Sequence, residues 1–339
     1  MTSTIREKAM RVFSVWIICL LAAGGCASRT AAPPVEAARA DAATQEEVRF
    51  DELWDYDDPA KTETVFNALL PDFPADKLPL EHAELLTQIA RTQSLQQKFK
   101  EAHALLDEAE TLIGGKDSVA LVRLWLERGR THNSAGEKDA ARLFFLKAYR
   151  LALALDVRFH AIDAAHMMAI VETPDLALEW NLVALHMAES SASPPSRRWQ
   201  GSLLNNLGWT YFDKQQYADA LALFEKALVF REEQGKPEPV RVARWSVART
   251  LRALGRVPEA LAMQKQLAEE LERLHETDGF VFEELAECHA ALGDAKQARD
   301  YAARAYGELG KLAWFVQAEP ERLERLKALM GEPQNSKHE

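Results

Sequence analysis

Small side chains recur along the chain at the spacing of a helical hairpin. Six alanines are separated by 39, 36, 43, 40 and 38 residues: Ala102, Ala141, Ala177, Ala220, Ala260 and Ala298. Twelve positions before each of them stands another small residue: Ala90, Gly129, Ala165, Gly208, Ala248 and Ala286. Two antiparallel helices approach to roughly 8 Å only where the side chains between them are small. The pattern predicts six hairpins, which must stack on one another to bury their apolar faces.

Two further features follow the same period. A later position is small in five of the six hairpins: Ala109, Ala148, Ala184, Ala227, Leu267 and Ala305. Gly136, Gly255 and Gly293 stand at one equivalent place between the two helices of their hairpins. A residue with positive φ ends a helix at such a place, and glycine adopts that conformation most easily.

One hairpin resembles a tetratricopeptide (TPR) repeat. From residue 202 to residue 234 the matching positions are Leu204, Leu207, Gly208, Tyr211, Ala220, Phe224 and Ala227. The family pattern has a large apolar residue, Leu-Gly and Tyr on the first helix, and Ala, Phe and Ala on the second. The resemblance extends over about residues 80 to 310 and implies an all-α, right-handed superhelical solenoid of about six hairpins. A featureless helical bundle is the alternative.

The third hairpin departs most from the family pattern. Asn181 stands where the family has Phe, and Ala164 stands where it has Leu. We therefore expect looser packing there. The long spacing of 43 that follows contains the run Ser190–Ser196, whose two prolines predict a loop inside the array.

The rest of the chain is divided around the solenoid. We predict a lipoprotein signal peptide at residues 1–25, a flexible tether at 26–48, an N-terminal capping segment at 49–78, the TPR solenoid at 79–310, a C-terminal capping helix at 311–332 and a tail at 333–339. In the N-terminal segment, Phe50, Leu53 and Trp54 either cover the first hairpin or form a short linear motif for a partner. The C-terminal capping helix begins at Pro320.

The start of the chain has the pattern of an export signal. Basic residues precede an apolar stretch over 12–23, which is too short to span a bilayer, and Cys26 follows. Residues 21–26 resemble a bacterial lipobox, which implies a lipid on Cys26. The residue after the cysteine is Ala27 and not Asp, which resembles the pattern of lipoproteins that are sent to the outer membrane. We therefore expect a protein that is lipid-anchored in the outer membrane and faces the periplasm. Ordinary signal cleavage and an uncleaved anchor are the alternatives.

Composition and motifs exclude several functions. The net charge is −11 and no run of basic residues occurs, so we expect no nucleic-acid partner. Motifs of zinc proteases, serine hydrolases and phosphate-binding loops are missing, and we expect no enzyme, no cofactor and no metal site. We interpret Glu283, Glu284 and Glu287 as a solvated acidic face rather than an acid/base pair. Cys288 is interpreted as a buried hydrophobic residue.

The first helices of TPR arrays line a concave surface, and this resemblance implies a binding site. The corresponding positions here are Arg91, Arg130, Asn133, His166, Asn205, Asn206, Trp209, Trp245 and Arg249, with Asp163 and Arg252 beside them. Arg and Asn side chains bind peptide backbone or a carboxylate, and Trp offers a flat apolar contact. For each residue alone, packing or solvation is the alternative interpretation.

We therefore predict a non-catalytic interaction protein. It would act as an adaptor or assembly factor of the bacterial envelope and bind an unidentified peptide or protein segment. A peptide-sensing regulator is the first alternative, and a cell-wall hydrolase on a helical superhelix is the last. The residues do not indicate an oligomeric state.

Overall fold

Residues 50–331 are helical almost throughout in the computed structural model, which describes this part of the chain. The helices are α1 (Pro59–Leu69), α2 (Pro79–Leu95), α3 (Phe99–Ile113), α4 (Val119–Ser134), α5 (Lys138–Ala154), α6 (Arg158–Val171), α7 (Pro174–Glu189), α8 (Pro194–Asp213), α9 (Tyr217–Gln234), α10 (Pro237–Ala253), α11 (Val257–Leu274), α12 (Gly279–Ala291), α13 (Ala295–Leu309), α14 (Ala313–Ala318) and α15 (Pro320–Met330). Short 3-10 helices lie at Asp51–Leu53 and Leu70–Asp72, and these residues contain no strand. The predicted all-α fold is confirmed. The predicted signal peptide, Cys26, the tether and the tail lie outside the described residues.

Helices α2 to α13 alternate as first and second helices of six hairpins. The described chain divides between Leu203 and Leu204 into two compact units, which we call the N-terminal unit (50–203) and the C-terminal unit (204–331). In the N-terminal unit, each helix from α1 to α6 contacts the next one, and the first helices α2, α4 and α6 also contact in sequence. In the C-terminal unit, α9 to α13 contact one another consecutively, and α10 also contacts α12. Both units therefore consist of stacked hairpins.

The turns inside the hairpins share one geometry. Gly136, Gly255 and Gly293 have φ of 88°, 78° and 78°, as the sequence predicts, and Gln97 and Gln215 adopt the same left-handed conformation at 63° and 60°. In each of these five turns the next amide donates to the carbonyl five residues earlier, at 2.8–2.9 Å. This bond satisfies a carbonyl that the end of the first helix leaves open.

Volumes are matched where the helices of a hairpin cross. A Cβ atom on Gly129 would lie 2.4 Å from the ring of Phe145, and one on Gly208 would lie 2.4 Å from the ring of Phe224. In the four hairpins with alanine at the crossing, the residue sixteen positions later is smaller than Phe: Leu106, Asn181, Gln264 and Ala302. Phenylalanine thus occurs at this position only in the two hairpins that have glycine at the crossing.

The third hairpin differs from the others at its crossing and at its turn. Ala177 is half-buried, whereas the five equivalent alanines are buried. Asn181, in the position of the consensus Phe, is buried at 7% exposure. Helix α6 ends without a left-handed residue, because extended Glu172 and the N-cap Thr173 lead directly to Pro174. The looser packing of this hairpin stays a prediction.

The ends and the interruption differ in detail from the prediction. Helix α8 begins at Pro194, so the loop predicted over Ser190–Ser196 is limited to residues 190–193, because proline is well tolerated at the first position of a helix. Residues 311–332 contain two helices, α14 and α15, where one capping helix was predicted. Among residues 50–331, no helix combines the length and the apolar character that crossing a bilayer requires.

We predict that Gly208→Ala destabilises the protein by about 1–3 kcal/mol, because the added methyl overlaps the Phe224 ring. Phe224→Leu in the same chain should remove most of this cost, since the Ala90–Leu106 pair shows that this combination fits. Urea unfolding of the two single variants and the double variant measures the coupling.

Gly307→Ala is the matched control. Gly307 lies in the last turn of α13, is exposed, and has no neighbouring atom within 4 Å of an added Cβ. Alanine there should leave the stability unchanged or raise it by up to about 1 kcal/mol, the gain expected in a helix interior. Additive effects of the Gly208 and Phe224 changes would contradict the proposed volume match.

Candidate functional site

Five of the predicted site residues occupy one repeated position. Arg91, Arg130, His166, Trp209 and Arg249 each directly follow the small crossing residue of their hairpin. The first helix turns this position away from its second helix, so that these residues face the neighbouring first helices. Their surroundings differ between the two units.

In the N-terminal unit, Arg130 is enclosed by carboxylates. Its guanidinium group lies 2.5 Å from Asp163 of α6 and 2.5 Å from Glu127 on its own helix, and its side chain is 12% exposed. Burial by itself would raise the pKa of Asp163, but the charge and hydrogen bonds of Arg130 lower it. Both groups are therefore charged at neutral pH, and Arg130 is held between α4 and α6.

Arg91 and His166 are also engaged with the chain itself. Arg91 lies 3.7 Å from Glu127, and its guanidinium carbon lies 5.0 Å from the ring centroid of Trp54. His166 is buried, its ring centroid 5.4 Å from that of Trp199. Burial lowers the pKa of His166 to about 4. Asn133, near the end of α4, is half-buried.

In the C-terminal unit, aromatic rings form a row across the first helices. The centroids of Trp209 and Trp245 are 5.7 Å apart, and those of Trp245 and Phe280 are 6.0 Å apart. Trp245 is 8% exposed, and its indole nitrogen donates to the carbonyl of Phe280 at 3.1 Å. Trp209 is half-buried, as are Asn205 and Asn206 one turn earlier on α8. The row therefore reaches the surface at Trp209.

Two arginines converge on one buried carboxylate beside this row. Arg249 donates to Glu284, and Arg252 donates to the same carboxylate at 2.7 and 2.9 Å. Glu284 is fully buried, and although burial raises its pKa, the two guanidinium groups lower it. Arg249 also lies over the Trp245 ring, 5.5 Å from its centroid. The carboxylate of Glu284 thus orients the guanidinium groups of both Arg249 and Arg252.

The predicted solvated acidic face is wrong. Glu283 and Glu287 are buried like Glu284, and they bind Arg322 and Arg325 of α15. Burying these carboxylates without partners would cost several kcal/mol, and the arginines of neighbouring helices supply the partners. The three glutamates therefore join helices.

The ion pairs follow a rule that is visible in the sequence. The arginine one residue after a crossing position pairs with the acid two residues before the next crossing position: Arg91 with Glu127, Arg130 with Asp163 and Arg249 with Glu284. The spacings of 36, 33 and 35 residues are each three less than the separation of the two crossing positions, which is 39, 36 and 38 residues. These arginines were predicted to bind a ligand, and the acids at this spacing are the sequence signal that would have indicated their pairing within the chain.

A groove of about 590 Å³ lies elsewhere in the N-terminal unit. It runs between α5 and α7, and its lining includes Tyr149, Leu153, Leu182 and Met187. None of the predicted site residues lines it.

We predict that stability falls as the pH falls from 7 to 5. His160 is buried as well, and burial together with the nearby Arg123 lowers its pKa to about 3, whereas an unfolded histidine titrates near 6.5. In this window His160 and His166 bind protons in the unfolded chain but not in the folded one. The free energy of unfolding therefore falls by roughly 1–2 kcal/mol for each histidine. The arginine-paired carboxylates of Asp51, Asp163 and Glu284 have lowered pKa values and titrate below this window.

Urea unfolding at pH 7 and pH 5 tests this prediction. His160→Gln and His166→Gln should each reduce the pH dependence, and His186→Gln, at an exposed position of α7, should leave it unchanged. The same slope in all variants would contradict the assignment.

Comparison with known proteins agrees with the helical-repeat geometry. A family model described as tetratricopeptide repeat matches residues 201–233, the hairpin in which Gly208 meets Phe224. No curated protein sequence matches the chain.

Solved structures share the fold over most of the chain. The apo form of RapI has a TM-score of 0.62 at 13% identity and covers 86% of each chain. Aspartyl phosphate phosphatase F from Bacillus subtilis has a TM-score of 0.53 at 12% identity, over 90% of this chain and 94% of that one. NprR in complex with its cognate peptide NprX has a TM-score of 0.50 at 14% identity, over 87% and 84%. The chain therefore carries a tetratricopeptide repeat at residues 201–233 and has the fold of tetratricopeptide-repeat proteins.

Proposed function

We propose that the protein is a non-catalytic interaction module that holds a peptide or protein segment on the first helices of its C-terminal unit, and that a lipid on Cys26 attaches it to the bacterial envelope. The tetratricopeptide-repeat fold generally serves as a non-catalytic interaction scaffold, and NprR, which shares the fold, has a structure in complex with a peptide. Both observations support the class of function. The binding surface is assigned from the side chains of the C-terminal unit.

The convergence of Arg249 and Arg252 on Glu284 carries the proposal. A single carboxylate accepts hydrogen bonds from two guanidinium groups, so that further N–H donors of Arg249 and Arg252 remain for a ligand. Arg249 is 20% exposed and is held by Glu284 and the Trp245 ring. A ligand that binds such a fixed group loses little conformational entropy in ordering it.

The neighbouring side chains define the ligand. Trp209 offers a partly exposed ring, and the amides of Asn205 and Asn206 lie one turn away on the same helix. Guanidinium groups bind carboxylates and backbone carbonyls by charge-assisted hydrogen bonds, and tryptophan binds an apolar side chain. The surface suits an extended segment with an acidic group next to an apolar residue.

Attachment and location extend the sequence predictions. The lipobox-like residues before Cys26 support a lipid anchor, and Ala27 supports an outer-membrane location facing the periplasm. An adaptor or assembly factor at that membrane is the function that we favour. A peptide-sensing regulator would use the same surface, and it would differ in changing its oligomeric state or helix arrangement when the ligand binds.

We predict that a photo-crosslinking residue at position 205 yields a discrete covalent product in the native envelope. The same residue in place of exposed Val229 on α9 should yield none. Adding Trp209→Ala and Arg249→Gln to the 205 variant should reduce the product at least about tenfold, the effect expected for two central contacts.

Circular dichroism checks that these variants keep their helical content. Arg256→Gln is the matched control, since Arg256 is exposed and pairs only locally with Glu259 among the described contacts. Replacing Trp245 and Arg249 together should weaken capture as well, although Trp245 is buried and its loss also affects packing. Undiminished crosslinking in the Trp209/Arg249 variant would exclude this surface.

We predict that Cys26→Ser abolishes lipid attachment. Wild-type protein should incorporate labelled fatty acid, and the variant should not, because the thiol is the acceptor. Equal labelling of the two proteins, or a wild-type protein without label, would contradict a lipid on Cys26.

A further inference from the structure

The chain places an acidic and aromatic segment of its own on the first helices of the N-terminal unit. Asp51 accepts a hydrogen bond from Arg123 of α4 at 2.8 Å. The indole nitrogen of Trp54 donates to the side-chain oxygen of Gln88 on α2 at 2.9 Å. The segment therefore contacts two neighbouring first helices through polar bonds.

Aromatic contacts complete this arrangement. Trp54 and Tyr56 are stacked, with centroids 4.8 Å apart and planes 9° from parallel. The guanidinium group of Arg91 lies over both rings, 5.0 and 5.2 Å from their centroids. Trp54 is 5% exposed, and burial raises the pKa of Tyr56 to about 12.

The residues that hold this segment occupy the repeated positions of the predicted binding surface. Gln88 and Arg91 stand two residues before and one residue after the crossing residue Ala90. Asn206 and Trp209 have the same places around Gly208. The α2 positions that contact Trp54 and Tyr56 thus correspond to those predicted to contact a ligand.

Apolar covering alone does not require these polar bonds. Phe50 and Phe66 cover the end of the hairpin stack with their rings, 6.5 Å apart at an angle of 79°. The segment 51–56 adds a charge-assisted hydrogen bond at Asp51, an indole hydrogen bond at Trp54 and cation–π contacts at Trp54 and Tyr56. These contacts depend on the identity of each side chain, whereas apolar covering depends only on the area that is buried. Arg123, which binds Asp51, is itself 3% exposed and lies 3.6 Å from Glu84.

We propose that the first-helix face formed by α2 and α4 is a recognition surface for acidic–aromatic peptides of the pattern Asp-x-x-Trp-x-Tyr, and that residues 51–56 occupy it as an internal ligand. A tethered ligand has an effective concentration in the millimolar range, so an external peptide binds only when the internal one is disengaged. The partner class is a protein segment with this pattern. The site is separate from the C-terminal surface of the proposed function.

A labelled peptide with the sequence of residues 50–58 tests the proposal by fluorescence anisotropy. The full chain with Asp51→Ala and Trp54→Ala should bind it at least about tenfold more tightly than the wild-type chain does. A peptide carrying the same two substitutions should bind neither protein. The Trp209→Ala/Arg249→Gln background should leave these results unchanged, which separates this test from that of the proposed function.

Asp51→Asn with Trp54→Phe is a second, milder variant, because it keeps an aromatic ring in the core and removes the charge and the indole donor. Circular dichroism and thermal unfolding report whether each variant is folded. Folded variants that do not bind the peptide, or equal binding by wild type and variants, would overturn the proposal. Unfolding of both variants would also overturn it, since residues 51–56 would then act as a structural cap only.

Discussion

The closest approach of two helices depends on the side chains at their crossing, and every hairpin of this protein is built around that constraint. Glycine at the crossing admits the ring of a phenylalanine from the partner helix, as at Gly129 and Gly208. Alanine at the crossing is matched by a smaller partner sixteen residues later. Because packed interiors tolerate neither overlap nor voids, the two positions must vary together. The distance between helices, and with it the face that each first helix turns to its neighbour, follows from this pair.

The second constraint is the cost of burying charge between stacked first helices. Arg130 with Asp163 and Arg249 with Glu284 place both charges of a pair at the same junction between neighbouring hairpins. A buried carboxylate without such a partner would be strongly destabilising, so these pairs specify which helix faces which. Most of the charged groups named on the first helices are therefore paired with other groups of the same chain. At Glu284, two arginines of α10 share one buried carboxylate of α12.

The two units use equivalent positions for different purposes. In the N-terminal unit, Gln88 and Arg91 hold Trp54 and Tyr56 of the same chain. In the C-terminal unit, the position of Arg91 is occupied by Trp209 on α8, which is half-buried, and by Arg249 on α10, which is oriented by its ion pair. A repeat protein can assign separate roles to its repeats because each hairpin contacts only its neighbours. The N-terminal face contacts residues 51–56 through hydrogen bonds and aromatic rings, and the C-terminal face has a related set of donors and rings.

The sequence by itself determined the helical period, the crossing residues and the glycine turns, because small side chains and positive φ are local requirements that only a few residue types meet. It also placed five of the candidate residues on one repeated position. The tertiary structure decided which of them remain available. Whether Arg130 meets a ligand or Asp163, and whether Glu284 faces solvent or two guanidinium groups, depends on the neighbouring hairpin 33 to 35 residues away. The turns at Gln97 and Gln215 were likewise decided by the stacked hairpins, since glutamine has no local preference for that conformation.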